Sequence, residues 1–467
     1  MSGLKYFSAG AGTIIAQVVN FGCIPLLARI YSPEAFGVWA LVQSAALLVG
    51  GLATLRYDLA IVVEPELGQA EKLFYATLVL AIGVALAGVF AVFGGVRVIS
   101  GDFVALQGAG GALLGIWVLL LAIAQVLQSW LLRTGGFGSI SFAQIGNVLG
   151  TNAVQFGGIH DRGWIWLVAG SVVGQLVALS ILWFAIGRLP TRPTWPTAPY
   201  VRTAISLLAK YRRFPAYSLP FSVLSIARER IPLLALGFFT SQAAVGMYSQ
   251  IWRILHVPAG ITSSMVRPVL FQRAAADGVA SVELTTQIAF RWMLLLGAPW
   301  VALGIWSHQE LTPMVLGAKW ASAAIYVPAL IIPAFLFALV NWIDRLLDVA
   351  RRQDINLFTE SAATFTSVGV LGLSLYAGMT PGRAAILQGI VLASAYIGFA
   401  FIAFNVLSYS VARLGQSLLG GLLIGLVTIS TCVIAAILNF PHAGVAIGGL
   451  IFAISMVVVL RLMRVNR

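Results

Sequence analysis

Long apolar stretches separated by short polar connectors follow one another along the whole chain. A membrane-spanning helix needs about 20 predominantly apolar residues, and about fourteen stretches reach that length. The predicted spans are 9–30, 36–55, 73–96, 110–132, 139–158, 164–187, 214–238, 244–266, 286–307, 320–342, 357–378, 384–408, 416–438 and 443–463. The pattern therefore predicts an all-α integral membrane protein with about fourteen transmembrane helices.

The composition and the charge distribution agree with this setting. Of the 467 residues, 60% are hydrophobic and 9% are charged, and the mean hydropathy is +0.96. Most of the 28 Lys and Arg residues fall on one predicted side of the membrane, which predicts that both termini are cytoplasmic. Because the net charge of +13 is dispersed over loops, membrane lipids are the expected partners, and nucleic acid is not.

Part of the sequence occurs twice. Residues 25–28 (PLLA) and 36–39 (FGVW) recur as residues 232–235 (PLLA) and 245–248 (VGMY). Duplicated halves are typical of transporters whose binding site lies between the repeats.

The repeat predicts a two-bundle organisation. Its parts are an N-terminal six-helix bundle (1–187), a basic Pro-rich cytoplasmic linker (188–213), a C-terminal six-helix bundle (214–408) and two additional transmembrane helices (409–467). In the linker, prolines recur at every third position from 190 to 199, which predicts a semi-rigid polyproline II spacer.

Arg253 is the first candidate for a functional residue. A charge inside a span costs about 2.5 to 3.5 kcal/mol and tends to face a cavity or a partner. Arg253 lies near the middle of predicted span eight. Helical spacing places a polar stripe on its face, formed by Ser249, His256, Gly260, Ser263 and Arg267.

Predicted span seven carries Arg228, Glu229 and Arg230, followed by Pro232. A proline at this position predicts a break in the helix. Two interpretations of the three charges stay open, an internal ion-pair cluster and a binding site.

Uncharged polar residues in other spans predict a water-containing cavity lined by both halves. Singly, such residues usually bridge helices by hydrogen bonds. The candidates for the lining are Gln17, Asn20, Gln43, Gln144, Asn147, Thr151, Ser249 and His256. With Arg29 and Arg56 at the ends of spans one and two, the cavity has excess arginine, which indicates an anion such as phosphate or diphosphate as the ligand.

The sequence gives no sign of an enzyme. It has no metal-ligand spacing, no nucleophile with a base at a recognisable offset and no phosphate-binding loop. No catalytic residue, no metal and no cofactor is therefore predicted.

Several segments, taken in order, resemble one known family. They are 28–37 (ARIYSPEAFG), 56–63 (RYDLAIVV) followed by 69–71 (QAE), 245–248 leading to Arg253, Arg267-Pro268, and 315–323 (VLGAKWASA). They are similar to segments of the O-antigen and exopolysaccharide flippases, the polysaccharide-transporter branch of the MATE-like (multidrug/oligosaccharidyl-lipid/polysaccharide exporter) superfamily.

The resemblance implies a fold and a function. The fold would be two pseudo-symmetric bundles forming a V-shaped cavity, with two further helices at the end. The function would be movement of undecaprenyl-diphosphate-linked oligosaccharide units across the bacterial inner membrane, for lipopolysaccharide or exopolysaccharide synthesis. Polysaccharide polymerase and export machinery would be further partners. Related peptidoglycan-precursor flippases use cavity arginines in the first, second and eighth spans, which Arg29, Arg56 and Arg253 match here.

The spans contain few acidic residues that could couple transport to an ion. Exporters of the wider superfamily often carry an acidic coupling residue in the first span, where this chain has Gln17 and Asn20. The remaining candidates are Glu229 and Asp58, although neighbouring cations favour their ionised forms.

Two other functions stay open. One is a cation-coupled drug or small-molecule exporter of the same fold, which a cationic cavity disfavours. The other is a membrane polymerase or ligase acting on the same lipid-linked sugar, for which catalytic acids or a large external loop would be expected.

Overall fold

The computed structural model describes residues 2–98, 108–187 and 198–437, and these ranges contain helices but no strands. The α-helices are α1 Ser2–Ile30, α2 Pro33–Gly50, α3 Asp58–Val63, α4 Leu67–Val98, α5 Gly108–Thr134, α6 Phe137–Gly157, α7 Trp164–Ile186, α8 Ala198–Lys210, α9 Leu219–Phe239, α10 Gln242–Leu255, α11 Val257–Asp277, α12 Glu283–Trp306, α13 His308–Leu316, α14 Tyr326–Val340, α15 Asp344–Val349, α16 Gln353–Tyr376, α17 Pro381–Val406 and α18 Val411–Ile437. A π-helical turn at Phe214–Ser218 and 3-10 helices at Val279–Val282 and Ala318–Ile325 complete the set. The predicted all-α class is confirmed.

Eight described helical segments are long and apolar enough to cross a membrane. They are Pro33–Gly50, Leu67–Gly95, Gly108–Thr134, Trp164–Ile186, Val279–Trp306, Ala318–Val349, Pro381–Val406 and Val411–Ile434. The protein is therefore a multi-pass membrane protein. The predicted span 443–463 lies outside the described residues, and the number of fourteen spans stays a prediction.

Among the described helices outside that set, which also include α11 and α16, α6 and α9 have 21 residues each. Helix α6 carries amide and hydroxyl side chains, and α9 carries three charges. Polar side chains at membrane depth need protein or water around them rather than lipid. These two helices therefore carry candidate residues for a site inside the protein.

Two local expectations are wrong. The predicted span eight is two helices, because the chain turns at His256 between α10 and α11, and Pro258 in the first turn of α11 has no N–H to donate. The predicted polar stripe around Arg253 is therefore not carried by one helix. Helix α9 continues through Pro232 without the expected break. In the linker, residues 198–210 form α8, while residues 188–197, with three of the four prolines, lie outside the described range, so the polyproline II spacer stays a prediction.

The repeated glycines meet each other. A Cβ placed on Gly37 of α2 would overlap the carbonyl oxygen of Gln242, and a Cβ on Gly246 of α10 would overlap the carbonyl oxygen of Pro33. The same offset of 209 residues separates Gly37 from Gly246 and Pro33 from Gln242. The contact is thus reciprocal, as in a two-fold pair, and the two repeats touch through backbone that only glycine leaves accessible.

The start of α2, which lies at this contact, is capped by its own sequence. The Ser32 hydroxyl accepts a hydrogen bond from Ala35 N–H at 3.3 Å, Pro33 occupies the first turn and Glu34 lies at its positive end. These are the residues expected at a helix N-terminus. The cap therefore fixes the turn of α2 that lies against α10.

Packing divides the chain into two compact units between Ser249 and Gln250. In the first unit α6 packs against α7 and α1, and α2 packs against α5 and α9. In the second unit α12 packs against α18 and α14, and α17 packs against α14 and α16. The division into bundles at 187, 213 and 408 stays a prediction from the repeat.

A polar cluster fixes α8 to the turn before α4. The Glu64 side chain is 1% exposed and accepts hydrogen bonds from Lys210 Nζ at 2.8 Å and Tyr211 OH at 2.7 Å. Arg133 donates to the carbonyl oxygens of Ile61 and Glu64. Burial would raise the pKa of Glu64, but the hydrogen bonds from Lys210, Tyr211 and the backbone N–H of Glu66 together lower it below its usual value.

Gly37→Ala and Gly246→Ala are each expected to destabilise the protein by about 1–3 kcal/mol, because the added methyl group overlaps a backbone carbonyl that cannot rotate away. Gly83→Ala in α4 is the control, since its added Cβ would have no atom within 4 Å apart from its own chain neighbours and the backbone of its own helix. Thermal unfolding in detergent measures the effect. Equal melting temperatures for Gly37→Ala and Gly83→Ala would contradict the reciprocal contact.

Glu64→Gln is expected to lower the melting temperature most at neutral pH. The pKa of Glu64 is lower in the folded state, so its contribution is present above the ordinary value of about 4.3 and is lost as the pH falls through the folded value. The difference from wild type should be constant between about pH 5.5 and 8 and shrink below about pH 4. Glu66→Gln, at an exposed position, should show no such profile.

Candidate functional site

A cavity of about 270 Å³ lies among α1, α5, α6 and α7 in the first unit. Its lining residues are Ala16, Gln17, Asn20, Gln128, Ala143, Gln144, Asn147, Val148, Gln175 and Ala178. Six of these ten side chains are amides and none is charged. We call this site the amide cavity.

Glycines bring α6 and α7 close enough to form one wall of the amide cavity. Gly146 and Gly150 are four residues apart on α6, and Gly170 and Gly174 have the same spacing on α7. A Cβ on Gly170 would lie 2.6 Å from Gln155 Cγ, and one on Gly174 would overlap Thr151. Small residues at this spacing let helix backbones approach closely in a membrane.

This close approach places a chain of polar side chains across the two helices. Asn147 Nδ2 donates to Gln175 Oε1 at 2.9 Å, and Thr151 Oγ1 donates to Asn147 Oδ1 at 3.4 Å. Farther along, Gln155 Nε2 donates to the carbonyl oxygen of Leu167 at 3.0 Å. The orientation of the Asn147 and Gln175 amides at the cavity is therefore set by their neighbours.

The opposite wall of the amide cavity comes from α1. Gln17 and Asn20 are three residues apart and lie on one face of this helix. The Gln17 Oε1 atom is buried and has no hydrogen-bond partner in the structure. A buried acceptor of this kind is costly unless a donor reaches it.

Arg56 lies at the irregular turn between α2 and α3. Its Nε donates to Ser222 Oγ of α9 at 2.6 Å. Leu55 and Arg56 both have left-handed backbone conformations, with φ of 47° and 65°. Side chains other than glycine adopt this conformation at an energetic cost, which is typical of functional positions.

Helix α9 carries the charged group Arg228, Glu229 and Arg230. Arg228 is buried, with 6% exposure, and lies six residues from Ser222 on the same helix. The Arg230 and Glu229 side chains are 3.5 Å apart and both partly exposed, so their ion pair is weak. Arg56 and the three charges of α9 all belong to the first unit.

The predicted site residues around Arg253 divide between the two units. Arg253 Nη1 donates to Gln250 Oε1 at 3.3 Å in the last turn of α10. His256 stacks on Trp252, with ring centroids 3.7 Å apart. Ser249 is buried in the first unit and donates to the carbonyl oxygen of Gly246 at 2.9 Å. All three side chains thus have partners within their own stretch of chain.

The remaining predicted residues lie outside the amide cavity. Arg29 is exposed near the end of α1, and Gln43 is half-buried on α2 but does not line the cavity. Asp58 is buried and accepts a hydrogen bond from Thr54 Oγ1 at 2.7 Å.

Gln128 and Gln175 line the amide cavity but are not among the lining residues predicted from the sequence. Gln128 is one of two amides in the apolar span of α5, and such a residue is a signal in itself. Gln175 directly follows Gly174, so the paired glycine spacings on α6 and α7 were the signal for its position.

Comparison with known proteins gives the family. A family model described as "Polysaccharide biosynthesis protein" matches residues 26–325. The chain belongs to this polysaccharide biosynthesis protein family. The expected resemblance is confirmed.

A biosynthesis transport protein is similar in sequence to part of this chain. The chain is 28% identical over 327 residues to "Succinoglycan biosynthesis transport protein ExoT" of Rhizobium meliloti (strain 1021), an alignment covering 65% of this chain. The aligned stretch spans 60% of the relative's own length.

Solved structures show the fold of this polysaccharide biosynthesis protein. One is the lipid II flippase MurJ in an inward closed conformation, with a TM-score of 0.74 and 13% identity over 97% of this chain and 99% of that one. Another is an inward-facing multidrug resistance MATE family transporter of the MOP superfamily, with a TM-score of 0.55 and 13% identity. This likeness covers 86% of this chain and 94% of that one. The MATE-like fold is therefore confirmed.

A double-mutant cycle tests the polar chain of the amide cavity in this family member. Asn147→Ala and Gln175→Ala are expected to couple by about 0.6–1.7 kcal/mol, the range for hydrogen bonds between membrane helices. The control pairs Gln175→Ala with Asn152→Ala, because Asn152 donates to the carbonyl oxygen of Val148 on its own helix. Unfolding in detergent measures both cycles, and equal coupling in the two would contradict the bond across α6 and α7.

Proposed function

We propose that this protein is a flippase. It moves undecaprenyl-diphosphate-linked oligosaccharide repeat units from the inner to the outer leaflet of the bacterial inner membrane, by alternating access, for surface or exopolysaccharide biosynthesis. The observation that carries the proposal is membership of the polysaccharide biosynthesis family in a chain with the MATE-like membrane fold. The name of the relative, a biosynthesis transport protein, supports the same function.

Arginines supply the diphosphate site in this proposal. Arg56 and Arg228 lie on elements joined by the bond between Arg56 and Ser222, and Arg230 is close by in sequence. A guanidinium group offers several N–H donors in a plane that matches two phosphate oxygens. Arg253 and Arg29 are assigned to the same ligand from their positions in the sequence.

A transporter is favoured over the alternatives by the same residues. A cation or drug exporter would have to bind its substrate next to these arginines, where like charges repel. The names of the relative and of the two solved structures describe transporters or flippases, which supports a protein without catalytic activity over a polymerase or ligase.

Both termini are assigned to the cytoplasm from the distribution of Lys and Arg. If transport is coupled to an ion, Glu229 and Asp58 are the proposed acids. Glu229 is the more accessible of the two, since Asp58 is buried beside Thr54. Polysaccharide polymerase and export machinery are the proposed protein partners.

The proposal predicts that Arg253→Ala, Arg228→Ala and Arg56→Ala each slow transport by about 10- to 100-fold, because each removes charge-assisted hydrogen bonds to the diphosphate. Arg253→Lys should restore transport only in part, since the planar fork is lost. The measurement is the leaflet distribution of the lipid-linked oligosaccharide in cells lacking the protein and complemented with each variant.

Arg352→Ala is the control for this experiment, because Arg352 is exposed and pairs with Asp354. It should transport as well as wild type. An unchanged distribution in cells without the protein would contradict the flippase proposal, and normal flipping with unpolymerised units outside would indicate an enzyme.

A further inference from the structure

The amide cavity has a chemistry that the proposed diphosphate site does not explain. Six amide side chains converge on it from four helices, and no charged side chain is among its described lining residues. A neutral wall offers no charge to a diphosphate. Its amide groups are too polar to be a favourable contact for a lipid chain.

Amide side chains suit a ligand rich in hydroxyl groups. Each amide carries two N–H donors and an acceptor oxygen, and a hydroxyl group both donates and accepts. At Asn147 and Gln175 the hydrogen bond between α6 and α7 fixes how the remaining donors are presented. At Gln17 a buried acceptor has no protein donor, and a ligand hydroxyl would supply one.

The size of the amide cavity limits the ligand further. Its volume of about 270 Å³ equals the share of roughly nine water molecules at about 30 Å³ each. It lies just below the usual range of about 300–1,000 Å³ for sites that hold drug-sized molecules. A single sugar residue is the hydroxyl-rich group of matching size.

We propose that the amide cavity binds one sugar residue of the lipid-linked oligosaccharide through its hydroxyl groups. This inference rests on the proposed flippase function and adds a separate site for the carbohydrate. The arginines bind the diphosphate, which all such lipids share, and the amide cavity distinguishes the sugars. A site that hydrogen-bonds hydroxyl groups rejects ligands that lack them, because its buried polar groups are then left unpaired.

Equilibrium binding to the purified protein in lipid nanodiscs tests the inference. One probe is the lipid-linked oligosaccharide extracted from the cells that produce it, and the other is undecaprenyl diphosphate without sugar. Gln128→Met and Gln144→Met replace amides of the cavity by apolar side chains of similar volume. Two variants on different helices are used so that misfolding of one leaves the test intact.

Each cavity variant is expected to weaken binding of the sugar-bearing lipid by at least about tenfold and to change binding of undecaprenyl diphosphate by less than about twofold. Gln125→Met is the matched control on α5. Gln125 lies one turn from Gln128 outside the lining, and its Oε1 is 3.4 Å from Thr54 Oγ1, whose proton is donated to Asp58, so its substitution should leave both affinities unchanged.

The outcomes separate this inference from the proposed function. If wild type binds both lipids and the cavity variants change neither affinity, the sugar site is wrong and the flippase proposal stands. Equal weakening of both lipids by the cavity variants would also overturn the sugar site. If wild type binds neither lipid, the flippase proposal itself is overturned, and the inference with it.

Discussion

Close backbone contact at glycine is the interaction on which the rest of this structure depends. Lipid chains are as apolar as the helix surfaces, so no hydrophobic driving force brings helices together inside a membrane, and association depends on close packing. Gly37 and Gly246 let the two repeats touch through their backbones, and Gly170 and Gly174 let α6 and α7 do the same. Without these contacts the polar side chains of α6 could not reach those of α7.

The polar chemistry of the first unit is sorted by charge. Neutral amides from α1, α5, α6 and α7 line one cavity, whereas Arg56 donates a hydrogen bond to Ser222 of α9, the helix that carries Arg228, Glu229 and Arg230. A ligand with a charged diphosphate and a neutral sugar has the same two parts. Under the proposed function, the arginines would bind the diphosphate that all such lipids share, and the amides would bind the sugar by hydrogen bonds.

The two local expectations that were wrong both involve proline. A break was expected at Pro232 and none in span eight, yet α9 continues through Pro232 and the chain turns just before Pro258. Pro258 stands in the first turn of α11, where a missing N–H has no cost. Pro232 loses one hydrogen bond in α9, and the packing of this helix against α2 can compensate. Packing of this kind cannot be read from proline spacing.

The sequence by itself determined the all-α membrane class, the internal repeat and the family, because apolar length and residue order are properties of the chain alone. It also marked Gln17, Asn20, Gln144 and Asn147 as polar residues in spans. Only the tertiary structure decided that these four share a cavity with Gln128 and Gln175 while Gln43 does not. Helical periodicity gives the face on which a residue lies, but the neighbour of that face depends on which helices approach closely.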